Sequence, residues 1–389
     1  MLQRNSRASR ARQRDYHVGS HAARQCSMTA SGPAARALAE SLRTAAARGF
    51  DDRSMKTIFK LSPLVVSLLI GACTNKDDGA ASPPAEVKAM RIDLAFTCTH
   101  EAGHLPPPDA NTEALFQYAR SLEKAEGAKD YNAIARYERI AAANGNDQAN
   151  RDLQRLISRG LASSPDAPRE SVDLATQRID RGVPGGYVDI GHYLASGYGL
   201  KQDPVLALRY FRKAADLGSP EAQAYVAEQL APHDKAPDIA RQMRECAMNQ
   251  GNGDAAASLG IDQRNLKHYP EAIAAFQNGA MDGNALAALS LENAFGASYP
   301  GLPADAERAR RYKLIGKFIG SHDGQHPNVP DIGKIVPLPP ATLPEWDGTF
   351  QWETEQAAAA EPPAPSDALV EQLAAARHLD PATGLPLAH

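Results

Sequence analysis

The sequence predicts an all-α fold: an α-solenoid of about five helix-turn-helix repeats, closed by an extended C-terminal strap containing proline and tryptophan. Three observations predict it. Glycines 145, 182, 218, 251 and 283 recur at separations of 37, 36, 33 and 32 residues, the period of stacked helical pairs. Four residues after each glycine stands a small residue (Ala149, Gly186, Ala222, Ala255, Ala287), and eight after stands a large aliphatic (Leu153, Ile190, Val226, Leu259, Leu291). Aromatic residues make up only 6% of a chain that is 43% hydrophobic. That balance suits close-packed helices better than a β-sandwich.

Each element follows from the same register. Spacings of four and eight put the small and large residues on one helical face. Before the glycines, Ala142, Ile179, Ala215, Met248 and Ala280 stand three back, and Ile134, Ser171, Ala207, Ala240 and Ala272 stand eleven back. Each glycine therefore ends a helix, where the left-handed conformation is easily taken. A second helix then packs back, with the small residue allowing close approach. One pair cannot bury its apolar face, but a stack shares a continuous core. Helices are expected over 285–294 and 304–319. From Gly320 onward, prolines 327, 330, 337, 339, 340 and 344 exclude long helices. Trp346 and Trp352, the two tryptophans of the chain, are expected to anchor the strap in grooves of the solenoid. Two readings of them stand open: capping of the last repeat, or a hot spot for a partner. A last helix over 366–378 closes the end.

The segment from Tyr187 to Gly218 resembles a Sel-one-like repeat, a relative of the tetratricopeptide repeat. The matching residues are Gly191, Tyr193, Gly197, Gly199, Asp203, Ala207, Tyr210, Phe211, Lys213, Ala214, Ala215 and Gly218. Glycines 197 and 199 form the interhelical loop, and Asp203-Pro204 opens the second helix. The resemblance covers residues 112–319 and implies a protein-binding role.

Upstream, Met55-Lys-Thr-Ile-Phe-Lys60 is a short basic region, followed by an apolar run over 61–70 and then Gly71-Ala72-Cys73. This is the layout of a secretory signal over 55–72. The run is too short for a bilayer span of roughly 20 residues. Ile70-Gly71-Ala72-Cys73 resembles a lipobox, which implies lipidation of Cys73. Thr74, rather than aspartate, follows it, and the resemblance then implies an outer-membrane lipoprotein facing the periplasm. Residues 73–90 read as a flexible tether and 91–111 as an N-terminal strap. Residues 1–54 read as an extension from a misplaced start, with a helix over 34–48 and Cys26 absent from the native protein. A genuine basic arm is the alternative.

The charge is unevenly placed. Residues 1–54 hold ten arginines and four acids, and the signal adds two lysines, so the overall −4 leaves −12 for residues 73–389. An acidic body disfavours nucleic acid and suits a basic protein partner. Cys98 and Cys246 remain as an even pair, either a disulfide joining the strap to the fourth repeat or two free thiols.

One catalytic pattern occurs. His100-Glu101-Ala102-Gly103-His104 fits H-E-x-x-H, whose chemistry requires a helix that puts both imidazoles on one face. Pro106-Pro107-Pro108 stops any such helix at once. Three readings follow: a surface turn beside the first repeat, a non-catalytic metal site of Cys98, His100 and His104, or a zinc-dependent hydrolase. No phosphate-cradling glycine loop or nucleophile elbow is present, so no cofactor is expected. The architecture of signal, lipidated cysteine, tether, repeats and tail is similar to that of periplasmic immunity proteins of type VI secreted phospholipases. That resemblance implies a non-enzymatic protein that blocks a secreted, basic toxin. An envelope scaffold or regulatory adaptor is the alternative.

Overall fold

A computed structural model describes residues 95–387, apart from 108, 231–235, 298, 300–301 and 323. The chain divides into two units, Met1–Lys76 and Asp77–His389, and every described residue belongs to the second. The expected extension, signal, Cys26, Cys73 and tether lie outside the described residues. Among the described residues no helix is long and apolar enough to cross a membrane.

Twelve helices run in six antiparallel pairs: α1 (Ala110–Lys124) with α2 (Tyr131–Ala143), α3 (Asp147–Ser158) with α4 (Ala167–Asp180), α5 (Pro184–Ser196) with α6 (Pro204–Asp216), α7 (Pro220–Leu230) with α8 (Pro237–Met248), α9 (Gly253–Asn265) with α10 (Tyr269–Met281), and α11 (Ala285–Ala297) with α12 (Ala306–Ser321). The chain is an all-α solenoid. Among the described residues the five marker glycines occupy the turns between these pairs.

All five markers have positive φ, from +77° to +110°. The residue after the glycine finishes the turn. Asn146, Asn252 and Asn284 accept from the backbone N–H of Ala149, Ala255 and Ala287, each at 2.8 Å. These side chains satisfy donors that the next helix leaves unpaired. Six helices (α4, α5, α6, α7, α8, α10) also carry proline in their first turn, where its missing N–H costs nothing.

The residues four and eight after the markers are buried as their spacing requires. Gly186 shows why the first must be small. A Cβ there would lie 2.7 Å from the backbone nitrogen of Ile179 and 2.8 Å from the carbonyl oxygen of Ala175. Helices α4 and α5 could not pack at this distance with any side chain between them.

The core falls into three apolar clusters, centred on α1–α3, on α4–α8 and on α9–α12. Between the first two lies a buried polar junction. Arg178 grips Asp147 through two bonds of 2.7 and 3.0 Å and Asp189 at 2.6 Å. Gln154 donates to Asp189 at 3.0 Å and accepts from the Tyr193 hydroxyl at 2.6 Å. Burial raises the Asp189 carboxyl, with Arg178 opposing. The two carboxylates keep the Arg178 guanidinium charged despite its burial. The junction fixes the register of the second and third pairs, because a buried charge left without its partner costs several kcal/mol.

After α12 the chain forms three short helices, α13 (Ile332–Ile335), α14 (Gln351–Ala358) and α15 (Asp367–Ala375). The strap is thus less extended than the prolines imply, since helices fit between them. Ser366 caps α15 by accepting from Leu369 N–H. Near α13 the strap lies on the last pair. Arg311 donates to the carbonyls of Ile335 and Pro344 at 2.6 and 2.8 Å, and Arg308 to that of Pro337 at 3.3 Å.

The tail then returns to the beginning of the stack. Val370, Ala374 and Leu379 join the cluster of α1–α3. Asn144 donates to the Leu373 carbonyl at 3.0 Å, and Arg136 to that of Pro381. Lys124, at the end of α1, donates to Gln356 at 2.9 Å. Gln356 lies four residues beyond Trp352, which is packed on the last pair. One short helix, α14, therefore touches both ends of the solenoid.

Candidate protein-binding surface

The glycine register also defines a second helical face. Positions three, seven and ten after each marker share one helical face, turned away from the small-and-large core face. On α3 they are Gln148, Asp152 and Arg155. On α5 they are Gly185, Asp189 and His192. On α7 they are Glu221, Tyr225 and Glu228, on α9 Asp254, Ser258 and Ile261, and on α11 Leu286, Ser290 and Asn293. Most are exposed or half-buried. The stripe holds five carboxylates and one arginine over its first four helices, then turns apolar, with Leu286 53% exposed and its neighbour Leu289 48% exposed.

The acidic part is held in place from behind. His192 lies edge-on to Phe211 at 4.9 Å, and Phe211 packs on Tyr225 at 4.1 Å. The imidazole reaches Glu221 at 3.4 Å and holds that carboxyl below the usual carboxylate range. Beneath α3 lies Glu138 of α2, fully buried and with neither carboxylate oxygen hydrogen-bonded. Burial, with Asp152 and Glu123 adding to it, pushes Glu138 up to about 8, so it is neutral at pH 7.

The N-terminal strap runs past the middle of the stack and not beside the first repeat. Thr99 donates to the Asp216 carbonyl at 2.8 Å, and its own carbonyl accepts from Gln223 at 3.0 Å. Glu101 N–H donates to Gln250 at 2.8 Å. Gly218, with φ +99°, makes room: a Cβ there would lie 2.5 Å from the backbone carbon of His100. Cys98 and Cys246 form a disulfide with Cα atoms 5.7 Å apart, tying the strap to α8.

This placement decides between the readings of the H-E-x-x-H motif. Glu101–Gly103 is a single 3-10 turn, so the helix that a zinc hydrolase requires is absent. The expected metal set of Cys98, His100 and His104 is not assembled either. The potential ligand atoms that converge belong to Cys98, His100 and Cys246, all within 4.8 Å of one another. His104 stands outside because the turn carries it away. Burial raises the Glu101 carboxyl, with Arg178 opposing.

The two tryptophans separate. Trp352 is buried against Phe318 and His322, at 5.8 and 5.2 Å, while Phe350 stacks on Phe318 at 4.1 Å. Trp352 thus caps the last pair and offers little to a partner. Trp346 is half-buried, with the Arg311 guanidinium 5.8 Å from its ring. It rims an open hollow with Glu307, Arg310 and Glu345.

Sequence reasoning offered Cys98 and Cys246 as a pair, which form the disulfide, but missed the stripe, which was readable as the third phase of the same register. The return of the tail to α2 carried no sequence signal.

Fold and surface together define an all-α protein of stacked helical pairs that leaves one helix of each pair partly exposed. Comparison with solved structures gives particular relatives. The chain is similar to the Pseudomonas aeruginosa protein PA5086, with 26% identity and a TM-score of 0.52, covering 63% of this chain and 95% of that one. It is equally similar to the immunity protein Pa5087 of the same organism, with 26% identity and a TM-score of 0.51 over the same shares. The immunity protein PA5088 shares the fold at 24% identity and a TM-score of 0.53, over 63% of this chain and 94% of its own. Residues 287–387, the last pair and the strap, match a domain of unknown function, DUF6396. No curated protein sequence matches the chain.

Proposed function

We propose that the chain is an immunity protein that binds a secreted toxin and blocks its active site by occlusion. The observation that carries this reading is its similarity to the immunity protein Pa5087 over 95% of that protein's length. The acidic stripe from Asp152 to Asp254 is the contact surface, and a basic toxin surface is its electrostatic match. The role is binding rather than catalysis. The toxin class is a type VI secreted phospholipase, and the site of action is the periplasm. Export by residues 55–72 and lipidation of Cys73 would hold the chain at the outer membrane. The tether would let the repeats stand away from the lipid.

The test is co-expression with a phospholipase toxin encoded beside this gene and directed to the periplasm. Survival of the host and isolation of a one-to-one complex are expected. Reversing two stripe charges, Glu221→Lys with Glu228→Lys, should weaken binding at least tenfold in a protein with unchanged melting. Rescue without any complex, or a complex indifferent to both reversals, would remove the stripe from the reading. Absence of both rescue and complex would remove the immunity role.

A further inference from the structure

We infer that, when the Cys98–Cys246 disulfide is reduced, the two thiolates and the His100 imidazole form a zinc site that holds the strap in its place. This is independent of the immunity reading.

The backbone prepares the site. Residue 99 is clamped: its carbonyl accepts from Gln223 at 3.0 Å, and its hydroxyl donates to the Asp216 carbonyl at 2.8 Å. His100 has extended φ and ψ of −116° and 136°. In extended chain, alternate side chains point the same way, so Cys98 and His100 share one side of the strap. Cys246, buried on α8, faces them. The two sulfurs and an imidazole nitrogen lie within 4.8 Å of one another. Two thiolates and one imidazole are a preferred donor set for zinc, with Zn–S about 2.3 Å and Zn–N about 2.0 Å, and three protein ligands leave a fourth position for water.

The chemistry balances with a thiol reductant. It supplies two electrons and two protons, the Cys98–Cys246 bond breaks, and the reductant leaves as its own disulfide. Each thiol then releases its proton to solvent as its sulfur ligates the metal. Tetrahedral ligation needs the sulfurs ~3.7 Å apart, a change that side-chain rotation supplies from Cα atoms 5.7 Å apart. Oxidised or metal-bound, the strap keeps its clip. Reduced and metal-free, it has lost it.

The experiment uses the full chain, reduced with a phosphine that is then removed, and zinc alone as the probe, measured by competition with a chromophoric chelator. One zinc per chain is expected for the reduced protein and none for the disulfide form. The reduced protein should regain with zinc the melting temperature it lost on reduction. His100→Ala should weaken zinc binding at least tenfold and abolish that recovery, while its oxidised form melts like the parent. His104→Ala should bind as the parent does. A reduced protein that takes up no zinc, or an unaltered affinity in His100→Ala, overturns the proposal.

Discussion

The N-terminal strap and the C-terminal strap both lie against the same repeat stack, yet they are held by opposite means. Residues 95–104 are clipped at one covalent point, Cys98–Cys246, with a few hydrogen bonds around it. Residues 327–387 carry no covalent tie. They are held by Phe350 and Trp352 at one end, Val370 and Leu379 at the other, and arginine-to-carbonyl bonds between them. A short strap cannot bury enough apolar surface to offset its ordering entropy, so it relies on a covalent link. The longer one spreads its binding over two apolar clusters and also joins the two ends of the solenoid.

The largest effect should come from the C-terminal side. Phe350→Ala removes a buried ring stacked on Phe318 and should cost about 3–5 kcal/mol, read by urea unfolding. Limited proteolysis should then cut within 340–366 while the N-terminal strap stays protected. Equal release of both straps would mean that they are one cooperative unit.

The next effect breaks the other side. Replacing both cysteines, Cys98→Ser with Cys246→Ser, opens a link between residues 148 apart in sequence and should cost about 2–4 kcal/mol. Hydrogen exchange should rise over 95–104 and stay unchanged at α15. A rise at α15 would show that the clip also steadies the far end.

A smaller, pH-dependent effect should appear within the first two pairs, behind the acidic stripe. Glu138 is pushed up to about 8 in the folded chain, from an ordinary value of 4.5. Its neutral form stabilises the fold fully below pH 4.5, and that contribution is lost as pH rises through 8. The slope over this window is at most about 1.4 kcal/mol per pH unit. Glu138→Gln should flatten the decline in melting temperature between pH 6 and 8. A decline unchanged in the variant would assign it to other groups.

Much of this was legible before any coordinates, because burial has a period. The marker glycines, the small residues from Ala149 to Ala287 and the aliphatics from Leu153 to Leu291 repeat with the turns of a stacked fold, and all lie where that period puts them. The stripe follows the same count. What defied reading was aperiodic. Val370, Ala374 and Leu379 are ordinary apolar residues in a proline-rich tail, and nothing local says that they pack on α2 rather than on the last pair.

By itself, then, the sequence determined the helices, their pairing and the face each pair buries, because those depend on contacts between residues fewer than 40 apart. Tertiary structure alone decided that the tail bridges first pair to last, that the strap sits at Gly218, and that Cys246 rather than His104 completes the cluster with Cys98 and His100. Those are contacts between segments more than a hundred residues apart, and no spacing along the chain encodes them.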